Sequence, residues 1–185
     1  MKIDLQATGY FCNHWPHLSI LINGVDVTSL DVQQDTRTSV QHDSQVTSLE
    51  IVHHGKNFGP KVWDTKMVDG KIVEDCYFKI TDLRIDGVPM KNFAHYGNYI
   101  YDDGRVEPVL EHIDALYFNY NMRYQLLLEG EFYDWVISKT REGFKEVGPS
   151  WRKRQINTTP DGYSFSSLEL LDLIHDIKQL IDRIP

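Results

Sequence analysis

The sequence has only two cysteines, Cys12 and Cys76, and no long apolar run. A transmembrane helix needs about 18 or more consecutive apolar residues, so no membrane span is expected. Met1 to Phe11 lacks a charged stretch leading into an apolar one, so the chain is expected to be made without a signal peptide. Both cysteines are then expected to be reduced, with Cys76, alternating with Phe78 and Ile80, in the core. Basic residues are also scarce: 19 Lys and Arg against 27 Asp and Glu give a net charge of −8. That balance opposes a phosphate backbone and argues against nucleic acid as a partner. The one basic patch, Trp151-Arg152-Lys153-Arg154, reads as a solvated run.

Complete catalytic signatures are missing as well. The sequence contains no HExxH and no paired CxxC, so neither a catalytic nor a structural metal is expected. His53-His54 cannot chelate one ion, because adjacent residues of a strand point to opposite faces. Gly55-Lys56-Asn57-Phe58-Gly59-Pro60 lacks the order and the following helix of a phosphate loop. Ser, His and Asp are plentiful, but no GxSxG elbow is present, and the expectation is a protein with no catalytic residues.

Turn-punctuated alternation is abundant. Leu18, Ile20 and Ile22 precede Asn23-Gly24, with Val25 and Val27 beyond, the pattern of a hairpin closed by a type I′ turn. Polar residues 34 to 48 suit an edge strand. Leu49, Ile51 and His53 share one strand face, and Glu50, Val52 and His54 the other. A second hairpin centres on Asp69-Gly70. In the long strand that follows, Cys76, Phe78 and Ile80 lie on one register and Leu83 and Ile85 on the opposite one, so a bulge near Thr81-Asp82 is expected. Asp86-Gly87 closes that strand. Leu116 to Tyr120, Tyr124 to Leu128 and Phe132 to Ile137 are three further strand candidates. The expected fold is mainly β: an antiparallel, jelly-roll-like β-sandwich with a C-terminal α-helix.

The expected organisation is a sandwich domain over residues 1–142, a linker over 143–165 broken by Gly148-Pro149, Pro160 and Asp161-Gly162, and a helix over 166–184. Ser166 and Glu169 form a capping box. Leu170, Leu173, Ile177, Leu180 and Ile184 then recur at three and four, a short heptad seam expected to join copies of the chain into a homo-oligomer.

The many aspartates sit largely beside turn glycines, where Asp is favoured for local bonding. Calcium would need an irregular site of carboxylates and carbonyls, since no EF-hand spacing exists. The aromatic residues are more telling. Ten Tyr, eight Phe and four Trp are present, and Trp63-Asp64 in one loop with Tyr96, Tyr99 and Tyr101 in another form the candidate ligand face. Aromatic faces stack on sugar rings or aromatic ligands while carboxylates bond hydroxyls. The alternatives are aromatics serving as core or subunit interface, and a hydrolase site near His54 and Asp64.

The run LEIVHHGKNFGPKVWDT (49–65), the hairpin VDGKIVED (68–75) and the strand YFKITDLRIDGVPM (77–90) resemble small, carbohydrate-binding-module-like β-sandwich proteins of tailed bacteriophages, notably marine ones. The shared pattern is a strand ending in His-x-Gly-Lys, an Asp-Thr loop, Gly-x-Ile-Val-x-Asp, and a strand ending in Ile-Asp-Gly, within residues 17 to 90. Sandwich modules that bind xylan with calcium share the last of these. The resemblance implies a virion location, glycan or other virion proteins as partners, and a non-enzymatic binding, decorating or purely structural role, with calcium as the one cofactor it suggests.

Overall fold

The computed structural model describes residues 1–59, 62–111 and 113–147. The expected linker from 148 onward and the seam at Leu170, Leu173, Ile177, Leu180 and Ile184 lie outside the described residues. In chain order the elements are β1 (Lys2–Tyr10), β2 (His17–Ile22), β3 (Val25–Asp31), β4 (Thr36–Gln41), β5 (Ser48–His54), β6 (Thr65–Val68), β7 (Lys71–Asp75), β8 (Tyr77–Ile85), β9 (Val88–Pro89), β10 (Asn98–Tyr101), β11 (Val106–Pro108), β12 (Leu116–Phe118), β13 (Met122–Leu127) and α1 (Phe132–Val147).

The strands form two packed antiparallel sheets and a separate hairpin. One sheet has the order β12-β8-β1-β4, with β9 on β8; the other has the order β11-β10-β13-β5-β2-β3; β6 and β7 pair only with each other. The two main sheets bury Ile3, Leu5, Phe78, Ile80 and Ile85 against Leu18, Ile20, Leu49, Ile51 and Tyr124. Rings bridge the layers, Phe78 to His53 at 5.2 Å and Phe118 to Tyr99 at 5.9 Å.

The three expected turns are present, with Asn23, Asp69 and Asp86 at φ 52°, 50° and 47°, each followed by a glycine at positive φ. These are the torsions a type I′ turn needs. The expected bulge is also present: Gln6 pairs with Asp82 but Ala7 with Ile80, so Thr81 is the inserted residue. Leu83 and Ile85 thereby stay buried beside Phe78 and Ile80. The polar stretch after residue 34 yields β4, paired on β1 alone.

One strand expectation is corrected. Phe132 to Ile137 is not a strand but the first turns of α1, which continues to Val147, into the stretch expected as linker. Its aromatic and branched side chains suggest β structure, yet Phe132, Trp135 and Val136 recur at three and four, the helical period. The chain divides into two compact units after Phe132, and the sandwich forms the first.

Candidate functional site

Strand direction brings several loops to one end of the sandwich. Tyr10 at the close of β1 pairs with Tyr77 at the opening of β8, and His54 at the close of β5 with His17 at the opening of β2. Tyr101 and His53 both pair with Met122, where β13 opens. Residues 11–16, 55–59 and 62–64, 102–105 and 119–121 therefore lie at the same end, beyond the strands they follow. Gly55, at φ 85°, turns the chain out of β5 into the largest of them.

A buried carboxylate ties two of these loops together. Asp64 has no exposed surface, and Oδ1 accepts from Asn13 Nδ2 at 2.8 Å. Its Oδ2 accepts from the Asn57 backbone N at 2.7 Å, Asn57 Nδ2 at 2.8 Å and His14 Nε2 at 2.9 Å. Burial alone would push this carboxyl up; the bonds from Asn13, Asn57 and His14 outweigh it and hold it at about 2. Lys56 is the second tie. Its buried Nζ donates to Asp75 Oδ1 at 2.6 Å and to the Asn119 carbonyl at 2.7 Å. Asn121 closes the join, its Oδ1 accepting from the Lys56 N–H and its Nδ2 donating to the Lys56 carbonyl.

Aromatic side chains stand on this frame. Phe58, Trp63 and Tyr120 are 49%, 56% and 51% exposed. Phe58 and Trp63 face each other across an antiparallel bridge, and the Trp63 carbonyl accepts from Asn13. The rings of Phe58 and Tyr120 lie 6.0 Å apart and nearly parallel, with Lys56 Nζ 5.5 Å and 5.9 Å from their centroids. Tyr101 approaches Tyr120 at 6.0 Å, carries the Arg105 guanidinium 4.4 Å from its own ring, and donates to Glu107. Rigid aromatic area left in water is the kind of surface that binding uses.

The expected ligand face is only partly assembled. Trp63 and Tyr101 belong to this end. Asp64 does not face solvent: its oxygens are taken by N–H donors, and it positions the loops. Tyr99 points between the sheets, its ring against Phe118 and Tyr124, its hydroxyl accepting from the Tyr117 N–H, and burial pushes it up to about 12. Tyr96 precedes β10 at the opposite end of that strand, half-buried beside His95. Tyr99 and Tyr101 share one face of β10, and position along the strand separates them, Tyr99 lying within it and Tyr101 at its end; strand length separates Tyr96 from Trp63. Phe58 and Tyr120 were missed. Phe58 lies within the Gly-bounded loop, a sequence position that suits display of a ring.

The hydrolase alternative near His54 and Asp64 does not form. His54 Nε2 meets Ser19 Oγ on the outer face of the six-stranded sheet, whereas Asp64 meets His14 under the loops. Two other chains of catalytic residue types exist. Ser29 Oγ, His17 Nε2, His17 Nδ1 and Asp31 Oδ1 are joined at 2.7 Å and 2.8 Å. They lie on a sheet face, however, where backbone N–H groups run in the plane of the sheet and cannot converge above it on an oxyanion. Cys76 Sγ lies 3.8 Å from His14 Nδ1, but burial pushes this thiol up to about 12, and that nitrogen already donates to the Trp15 carbonyl. Among the described residues, no three His, Cys, Asp or Glu side chains converge to hold a metal ion. Calcium takes about six to eight oxygens; at this end both Asp64 oxygens accept from N–H donors.

No protein-family model matches the chain, and no curated protein matches it. Among solved structures, the carbohydrate-binding module vCBM60 in complex with galactobiose is similar, at 8% identity and a TM-score of 0.43 over 69% of this chain and 98% of that one. The selenomethionine form of vCBM60, described as linking two families of calcium-dependent carbohydrate-binding modules through circular permutation, is similar at 8% identity and 0.43 over 68% and 89%.

Proposed function

We propose that the protein is a non-catalytic carbohydrate-binding module that stacks sugar rings on Phe58, Trp63 and Tyr120. The observation that carries this reading is the three exposed aromatic side chains, fixed at one end of the sandwich by the buried Asp64 and Lys56 frames. A ring whose backbone is already held loses little freedom when a ligand lands on it, so more of the stacking energy appears as affinity. The exposed Asn57 side chain gives an amide N–H to Asp64 and keeps an amide oxygen that can bond a hydroxyl. The resemblance of residues 17 to 90 to phage sandwich proteins supports a place on a virion, where such a module would recognise a host glycan. The seam of residues 170–184 supports self-association.

A glycan array on the full chain, followed by calorimetry on its strongest hit, tests the reading. Trp63→Ala and Phe58→Ala should each weaken binding by more than about 1 kcal/mol while the melting curve stays close to that of the parent. Unchanged affinity in both variants would remove the aromatic end as the binding surface.

A further inference from the structure

Antiparallel pairing aligns side chains from distant parts of the chain in straight rows across the outer face of the six-stranded sheet. One row is Ile100, Arg123, Val52, Ser19 and Ser29. The next is Asn98, Gln125, Glu50, Leu21 and Asp26. Their strand neighbours Ile20, Ile51 and Tyr124 are core, so alternation directs both rows away from it. Even so, Ser19 and Glu50 are only 4% and 8% exposed. The face is therefore recessed, a groove of ≈ 560 Å³ with Asp102 and Gly104 on one flank and Asp26 on the other. That volume falls within the roughly 300–1,000 Å³ of ligand clefts.

Its floor is chemically mixed in an ordered way. Glu50 is held by Gln125 Nε2 at 3.1 Å and Arg123 Nη1 at 3.6 Å. Ser19 Oγ joins Ser29 Oγ at 2.9 Å and His54 Nε2 at 3.1 Å. Leu21, Val52 and Ile100 interrupt these polar groups with apolar patches. Such alternation suits a ligand that presents C–H faces and hydroxyls by turns. Charge narrows the class further, because Asp26, Glu50 and Asp102 line the groove against Arg123, an excess of negative charge that repels polyanions.

We infer that this groove holds an extended stretch of a neutral polysaccharide, laid across the strands from β10 to β3. The span is four interstrand steps, about 19 Å, which suits several sugar units rather than one ring. Tyr101 lines the groove and also approaches Tyr120, so the chain continues from the aromatic end onto the sheet. The inference rests on the glycan-binding reading above and adds that an internal stretch is recognised rather than a chain end.

The test is calorimetry of the full chain with di-, tetra- and hexasaccharides of xylan, galactan and glucan, and with polygalacturonate as the acidic probe. Affinity should rise at least about tenfold from disaccharide to hexasaccharide in one neutral series. Arg123→Ala, and independently Ile100→Trp as a variant that fills the groove, should return the hexasaccharide to the disaccharide level, with polygalacturonate not bound. A hexasaccharide no tighter than the disaccharide, indifferent to both groove variants but lost in Trp63→Ala, overturns the groove and leaves the aromatic reading intact. Preferential binding of polygalacturonate overturns the neutral ligand class. Absence of binding to every probe counts against both proposals.

Discussion

His14 Nε2 faces Asp64 Oδ2 at 2.9 Å while His14 Nδ1 faces the Trp15 carbonyl at 2.8 Å, so both ring nitrogens meet acceptors and both must donate. Only the imidazolium form can satisfy both. The bond to the Trp15 carbonyl, then the bond and charge of Asp64, raise its pKa. The protonated form is the one the fold favours, so its contribution is complete below the ordinary imidazole value and fades as pH rises through the raised one. Asp64 acts at the other limit, contributing above the ordinary carboxylate value and losing that contribution as pH falls toward about 2. In Asp64→Ala the His14 midpoint, followed by proton NMR, should fall, and stability should drop by about 3 kcal/mol. An unmoved His14 midpoint would show that the pair does not exist in solution.

Much of the sandwich was legible because its signals are local. Asn23-Gly24, Asp69-Gly70 and Asp86-Gly87 fix turns through the torsions of two residues each, and the parity change between Ile80 and Leu83 requires a bulge whatever lies elsewhere. The site was less legible, since it depends on which loops meet. Nothing near Asp64 in sequence announces Asn13 and His14, some fifty residues earlier, as its donors. Tyr99 and Tyr101 look alike on a strand, yet the inner sheet claims the first and the rim the second. Phe132 to Ile137 misled because residue type and period disagreed, and there the period decided.

Lys56 joins three segments through Asp75, Asn119 and Asn121, and its ammonium lies over the rings of Phe58 and Tyr120. Lys56→Met keeps the stem but leaves Asp75 with the Thr65 hydroxyl and no cation. Removing one partner of a buried pair costs about 3–5 kcal/mol, so the urea midpoint should fall markedly. A loss below about 1 kcal/mol would mean that the pair is solvated.

Gly97 packs against the face of Tyr124, whose hydroxyl donates to the Ala94 carbonyl at 3.1 Å. A Cβ there would come within 2.4 Å of the Tyr124 ring. Gly97→Ala should therefore destabilise by about 1–3 kcal/mol, the usual cost of overpacking, and Tyr124→Leu in the same chain should recover part of it. Thermal melts of Gly97→Ala, Tyr124→Leu and the double variant measure both effects, and additive losses would rule out the contact.

His53 carries the one buried side-chain nitrogen without a partner among the described residues. Its Nδ1 must donate to the Tyr120 carbonyl, at 2.8 Å, so the bare Nε2 is a lone pair in an apolar setting beside Phe78. Burial, with the charge of Lys56 adding to it, lowers this imidazole to about 4 despite the Tyr120 bond. An unfolded chain takes up the proton near pH 6.5, so between there and about 4 the unfolded state holds a proton that the folded state lacks. Stability is thus full above about 6.5 and falls as the pH drops, by on the order of 3 kcal/mol across the window. His53→Phe retains an edge for Phe78 and removes the bare nitrogen, whose burial costs about 1–3 kcal/mol, at the expense of one bond to a carbonyl in a surface turn. Urea unfolding at pH 7 and pH 4.5 should show parent stability dropping steeply and the variant dropping less, so that the difference between them widens in the variant's favour toward acid. Parallel losses in both proteins would place the acid sensitivity in a group other than His53.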